Sequence, residues 1–243
     1  MTLKKKLAKS AVGFLFATLL SIAVLSYSLF QITDKETLKP IVLAMASNQM
    51  PTEQVGQLRE FMIQQCGSKQ TIDIPLQNEK ITVDCNKIKD SPAEKTVEII
   101  YSDNIDKLYN LEYKCEFLDC LKTQPAVIFS AKANNFFLSV TYTAAFLTMI
   151  FGILLALLSR DSKFGVLRAF GWSLVFVGIS YFFVLVAKTT LIPADVAEVA
   201  GPAIDIIFNI ILFNLLIVLV VGAVLLVVGY LGPRIGKNRS KKK

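Results

Sequence analysis

The chain has 243 residues, 53% of them hydrophobic and 19% charged, where a typical soluble domain is about a quarter charged. It contains no histidine, which removes the commonest general base, proton shuttle and metal ligand. Its net charge of +7 is unevenly spread: Lys4, Lys5, Lys6 and Lys9 precede the first apolar run, and Arg234, Lys237, Arg239, Lys241, Lys242 and Lys243 follow the last. Arg160, Lys163 and Arg168 flank the link between the second and third runs, with Asp161 the one acid among them. The segment from Gln31 to Asn135 instead holds 12 basic and 15 acidic residues, and the last link sets Lys188 against Asp195, Glu198 and Asp205. This is the positive-inside pattern of a membrane protein. It explains the basicity without nucleic acid and predicts cytoplasmic N- and C-termini.

In chain order, a basic N-terminus (1–10) leads into a first span, Ala11–Phe30, whose 20 residues carry no charge and match the ~20 needed to cross a ~30 Å hydrocarbon core. A cleaved signal peptide cut after Ala23 is the rival reading, but the apolar stretch continues through Leu25, Tyr27 and Phe30, which favours an uncleaved anchor. Residues 31–135 form an outer segment. The second span is Phe136–Leu158, followed by a short cytoplasmic loop (159–164). The third is Gly165–Ala187, with Arg168 in its first turn, where a long side chain can snorkel to the phosphates. An outer loop (188–205) follows, in which Pro193–Glu198 reads as a short interfacial helix. The fourth span, Ile206–Leu231, is long enough to tilt. Gly232-Pro233 is expected to stop it before the basic tail (232–243). No proline interrupts the four runs, so helices without proline kinks are expected.

Within the outer segment, Thr33 and Glu36 have capping-box spacing ahead of Leu38, Ile41, Val42 and Met45. Pro51 suits the first turn of a second helix bearing Val55, Leu58, Phe61 and Met62, which Gly67 ends. Thr71–Leu76 and Lys80–Cys85 alternate around Gln77-Asn78-Glu79 as a β-hairpin, with Pro75 on an edge. Ser91-Pro92-Ala93-Glu94 opens a third helix through Ile99-Ile100 towards Leu111. The predicted fold class is therefore membrane α-helical: a four-span bundle with a small disulfide-stapled α+β extracytoplasmic domain between the first and second spans.

All four cysteines, Cys66, Cys85, Cys115 and Cys120, fall in the outer segment. An even count on the oxidising side implies structural disulfides, and Cys66–Cys85 with Cys115–Cys120 is the favoured pairing. A redox pair at Cys115 and Cys120 is the alternative; its spacing is not Cys-x-x-Cys, and Glu116 and Asp119 would raise the thiol pKa. In the second span Thr141, Ala145, Thr148, Gly152 and Ala156 make a small-residue stripe for helix packing, joined by Gly171 and Gly178 in the third. Asp205, Asn209 and Asn214 are the polar features of the fourth span. Asp205 and Asn209 share a face, while Asn214 lies about 140° around from Asn209. Interhelical hydrogen bonding fits them better than an intramembrane polar site.

The large first outer loop and tight three-helix return resemble the layout of claudins, but the outer loop has no tryptophan, the chain's only one being Trp172. Tetraspanins and four-helix membrane thiol oxidases place their loops or cysteine pairs differently. Tyr109–Cys120, together with Phe129–Phe136, resembles small uncharacterised archaeal four-helix membrane proteins, a resemblance that implies no activity and carries over no functional residue. No catalytic, cofactor-binding or metal-ligating constellation is read. The expectation is a non-enzymatic plasma-membrane protein whose outer domain binds a partner protein or envelope component. A small transporter or channel subunit and an extracytoplasmic thiol oxidoreductase are the alternatives. Expected partners are the lipid bilayer and a protein, either another kind of chain or a second copy, and no nucleic acid.

Overall fold

In the computed structural model of the chain, residues 3–49, 52–67, 69–76, 79–92, 95–102, 104–160, 163–190, 192 and 194–240 are described. The structure is mostly helical, and its strands among those residues are one hairpin. The elements are α1 (Leu3–Thr33), α2 (Lys35–Gln49), α3 (Thr52–Cys66), β1 (Thr71–Leu76), β2 (Glu79–Asp84), α4 (Cys85–Asp90), α5 (Thr96–Ser102), α6 (Ile105–Tyr109), α7 (Phe117–Thr123), a 3-10 turn (Pro125–Phe129), α8 (Ala131–Leu158), α9 (Lys163–Gly178), α10 (Ser180–Thr190) and α11 (Ala194–Ser240). They divide into two compact units. One holds Met1–Phe30, Phe136–Leu191 and Phe208–Lys243, and the other Gln31–Asn135 and Ile192–Ile207.

Four stretches are long and apolar enough to cross a membrane: Lys6–Thr33, Ala131–Leu158, Phe164–Thr190 and Ala200–Gly232. That is the make-up of a multi-pass membrane protein. Two of them depart from expectation. The third is not one helix, because α9 ends at Gly178 and α10 begins at Ser180. Ile179 N–H still donates to Val175 O at 2.8 Å, while Phe182 N–H turns back to Ile179 O at 3.0 Å. A glycine-serine pair relaxes a helix in this way without a proline. The fourth does not stop at Gly232-Pro233, since α11 runs unbroken from Ala194 to Ser240 through Pro202 and Pro233. The expected short interfacial helix is thus its first turns. A proline inside a helix forfeits one backbone hydrogen bond, whereas ending the helix frees about four carbonyls at once. At about 1.5 Å per residue, the 33-residue stretch Ala200–Gly232 spans about 50 Å, more than a ~30 Å core requires.

In the bundle unit, α9–α10 and α11 run antiparallel and meet through glycines. A Cβ on Gly171 would stand 2.9 Å from Leu226 N, and one on Gly178 2.6 Å from Leu219 Cα. From the other side, Gly222 would meet Val175 N at 2.8 Å and Gly229 would meet Arg168 Cγ at 2.8 Å. Each helix therefore contributes two glycines seven residues apart to one seam, which brings the backbones together where no side chain fits. A second junction forms where Phe16 of α1 meets Phe170 of α9 edge to face, with ring centres 5.2 Å apart. A Cβ on Gly152 of α8 would lie 3.2 Å from the Phe16 ring.

The second unit is built around Met62, Val83, Ile88 and Ile100, flanked by Leu58, Ile63, Ile72 and Ile99. α2 packs on α5 and α6, and α3 on α4, α5 and β1. Asp34, not Thr33, starts α2: its Oδ2 accepts from Glu36 N–H at 3.1 Å and its carbonyl from Leu38 N–H at 2.8 Å. Thr33 instead ends α1, and its hydroxyl accepts from Asn134 Nδ2 at 3.4 Å. Gly67 closes α3 with φ +47°, the left-handed conformation that favours glycine after a helix. Pro51 lies outside the described residues.

The hairpin pairs Thr71 with Asp84 through to Leu76 with Glu79, one residue tighter than the alternation predicted. Asp84, the last residue of β2, also caps α4, its side chain accepting from Asn86 N–H at 2.9 Å, so Cys85 is the first residue of a helix and not the last of a strand. The single helix expected from Ser91 to Leu111 is two, α5 and α6, divided at Asn104. Asn104 is 1% exposed. Its Nδ2 donates to Ile100 O at 2.8 Å and Thr82 O at 3.0 Å, and its Oδ1 accepts from Thr82 N–H at 3.1 Å. The amide thereby pairs the free edge of β2 as a further strand residue would, which a continuous helix could not do.

Candidate functional site

Two places in the molecule combine chemistry with geometry, one in each unit. In the bundle, the hydroxyls of α1 reach two neighbours. Thr141 Oγ1 of α8 donates to Ser26 Oγ at 3.0 Å, and Asn214 Nδ2 of α11 donates to Ser28 Oγ at 3.0 Å. Each serine is anchored on its own helix, Ser26 to Ile22 O at 2.7 Å and Ser28 to Val24 O at 2.9 Å. Polar groups in an apolar bundle are costly unless paired, and these pair with each other. Asn214 also lines a shallow groove of about 320 Å³ with Ala23, Val24, Tyr27, Ile217 and Val218, whose other surfaces are almost wholly apolar. Ser26 and Ser28 escaped the sequence reading. Their signal is two hydroxyls on faces of the first span that must meet different helices.

The other candidate residues are placed as follows. Thr148 is buried and its hydroxyl donates to Ala144 O at 2.7 Å. Gly152, Gly171 and Gly178 are buried in the contacts described above, and Ala156 is half-buried. Ala145 is exposed, and Ala144 takes the buried position. The covered face of α8 therefore runs Thr141, Ala144, Thr148, Gly152, Leu155 and continues to Ser159 just past its end, because a step of about 100° per residue turns Ala145 away from it. Asp205 and Asn209 are both exposed. Of the three polar residues of the fourth span, Asn214 is the one held against α1.

In the second unit, Cys66 bonds Cys85 with Cα atoms 5.7 Å apart, tying the end of α3 to the start of α4, and Cys115 bonds Cys120 at 5.4 Å, closing a loop onto α7. No cysteine is free. By the chain-entropy account, loops of these lengths correspond to about 3 and about 2 kcal/mol of stabilisation. Arg59 satisfies the end of α4, donating from Nε to Ser91 O and from Nη2 to Lys89 O, both at 3.1 Å. Lys132 donates to Tyr113 O at 2.9 Å and to Cys115 O, fastening the second disulfide loop to the first turn of α8. Burial pushes the phenols of Tyr109 and Tyr113 up from the usual tyrosine range, and hydrogen bonding to Asp106, 2.7 Å away, raises the Lys35 ammonium.

The product of this local order is α7. Phe117 and Cys120 are buried on one side, while Leu118 (58% exposed) and Leu121 (36%) stand one turn apart on the other. Phe129 in the following 3-10 turn is also exposed. The helix is only seven residues long, too short to hold itself in water, so the disulfide and Lys132 fix the direction of its apolar face. Comparison with protein-family models, curated proteins and solved structures returned no match.

Proposed function

We propose that this chain is a non-enzymatic protein of the plasma membrane, with both termini in the cytoplasm and a small α+β domain on the outer side that binds a partner protein or envelope component. The charge asymmetry between the basic ends and the acidic 31–135 segment supports the orientation. The placement of both disulfides in that segment supports its exposure to an oxidising compartment. The observation that carries the binding role is the outward pair Leu118 and Leu121 on a helix pinned by a disulfide. Rigid exposed apolar side chains rimmed by charges, here Asp119 and Lys122, lose little entropy when covered.

The test is mass spectrometry of the tagged full chain, gently extracted from its native membrane, beside Leu118→Asp/Leu121→Asp. The expected result is a stoichiometric companion that the variant loses while keeping its disulfides and thermal transition. A companion retained by the variant would remove α7 from the interface, and its absence from the unmodified chain would remove the partner-binding reading. Reaction of Lys122→Cys with a membrane-impermeant maleimide on intact cells tests the orientation.

A further inference from the structure

At the basic end of the bundle, α1, α8, α9 and α11 leave a cleft of about 640 Å³ between them. Lys6 and Lys9 of α1 and Arg168 of α9 line it, with Trp172 and Tyr230, and no carboxylate among the described residues joins them. Three like charges around one cleft repel one another unless an anion or water lies between them.

Arg168 uses little of its hydrogen-bonding capacity within the chain. Its Nε donates to Phe164 O at a long 3.4 Å, and its guanidinium carbon lies 5.4 Å from the centre of the Tyr230 ring. Its two terminal amino groups have no partner among the described residues. Tyr230 is itself held by Trp172, whose Nε1 donates to the phenol oxygen at 3.3 Å. From the other wall comes Ser159, which follows the last turn of α8. It is 2% exposed, and its hydroxyl is buried without a hydrogen-bond partner among the described residues. Buried hydroxyls are almost always paired, and none of the described residues pairs this one.

We propose that this cleft binds the phosphate of an anionic phospholipid. The Arg168 fork takes two phosphate oxygens, the shape match for which a guanidinium is suited. The Ser159 hydroxyl, turned about its Cα–Cβ bond towards the cleft, donates to a third, and Lys6 and Lys9 supply flanking charge. Trp172 and Tyr230, amphipathic rings of the kind that settle at the headgroup level, form the side facing the acyl chains. A soluble phosphate ester offers the same oxygens, but only a lipid also covers the apolar helix flanks below them.

The experiment is native mass spectrometry of the full chain in neutral detergent with phosphatidylglycerol, phosphatidylcholine or inorganic phosphate added. One phosphatidylglycerol per chain should be retained at least about tenfold more strongly than phosphatidylcholine. Arg168→Gln should lower that retention about tenfold, and Arg168→Lys and Ser159→Ala about three- to fivefold. Replacing Lys241, Lys242 and Lys243 by glutamine removes three charges, more than any of the cleft variants, far along the chain and should change nothing. Equal loss in that tail variant would make the attraction diffuse and overturn the proposal, as would equal retention of phosphatidylcholine. Inorganic phosphate competing at the lipid's own affinity would assign the cleft to a soluble phosphate and overturn the lipid. Should Arg168→Gln fail to fold, Ser159→Ala and Lys6→Gln/Lys9→Gln carry the test, and unchanged retention in both overturns it.

Discussion

Adding one methyl group at Gly178 sets two effects of opposite sign against each other. Alanine is favoured over glycine in a helix by about 1 kcal/mol, so the substitution should stabilise wherever there is room. At Gly178 there is none: the new Cβ would stand 2.6 Å from both Cα and Cβ of Leu219 and 2.8 Å from its nitrogen. Carbon atoms rest at about 3.5–4.0 Å, so the seam must open by roughly 1 Å. Main chain cannot swing aside as a side-chain tip does, and a gap of that size forfeits about a quarter to a half of each contact well along the seam. Overpacking of this kind costs about 1–3 kcal/mol, and contact with backbone on the facing helix puts Gly178 at the upper end. After the propensity gain, the expected loss is about 2 kcal/mol, roughly thirtyfold in the folded ratio. Unfolding of the purified full chain by graded addition of SDS would measure it. Gly56 in α3, where a Cβ meets nothing within 4 Å, serves as the control, and Gly56→Ala should gain about 0.5–1 kcal/mol. If Gly178→Ala matched or exceeded the unmodified protein, the close approach of α9 and α11 would be refuted.

Three further outcomes are expected. Asn104→Ala leaves the Thr82 N–H and C=O without their partner and should cost about 3 kcal/mol, with faster amide exchange at Thr82; continued protection there would contradict the edge-pairing role. Ser28→Ala and Asn214→Leu should show a coupling of about 0.6 kcal/mol in a double-mutant cycle, and independent effects would mean the 3.0 Å contact carries no energy. Tyr109, Tyr113 and Lys35 all hold their protons more tightly when folded, the tyrosines through burial and Lys35 through Asp106. The unfolded chain therefore loses protons first, and stability should be intact below about pH 10 and fall above it. Phenolate absorbance and helicity followed together through an alkaline titration would check this, and stability that rose with pH would reverse the argument.

The candidate sites were unevenly legible. A run of 20 uncharged, mainly apolar residues with lysines before it, such as Ala11–Phe30, has few readings, because lipid demands length and composition and both are local properties. The hairpin was legible for the same reason, since alternation is written residue by residue, though Asp84 shifted its end by one through capping α4. Asn104 was not legible. A lone asparagine in a helix-forming stretch reads as one more polar position, and its value depends on the edge of β2, 22 residues away in sequence. Nor could the pattern of α7 show which of Phe117, Leu118 and Leu121 would be covered. Three apolar residues within five offer more than one face, and Cys120 with Lys132 selects among them.

The sequence by itself determined where the chain can enter lipid, which end is basic, and that its cysteines belong to one segment, because hydropathy, charge and count survive without any knowledge of neighbours. Only the tertiary structure decided which small residues are in contact. Ala144 and Ala145 are chemically identical, and helix rotation buries one and exposes the other. It likewise brought Gly178 against Leu219 and Asn214 against Ser28, 186 residues apart in the case of the asparagine. Contact between helices is set by rotation and approach distance, which the four packed helices fix jointly and no single segment encodes.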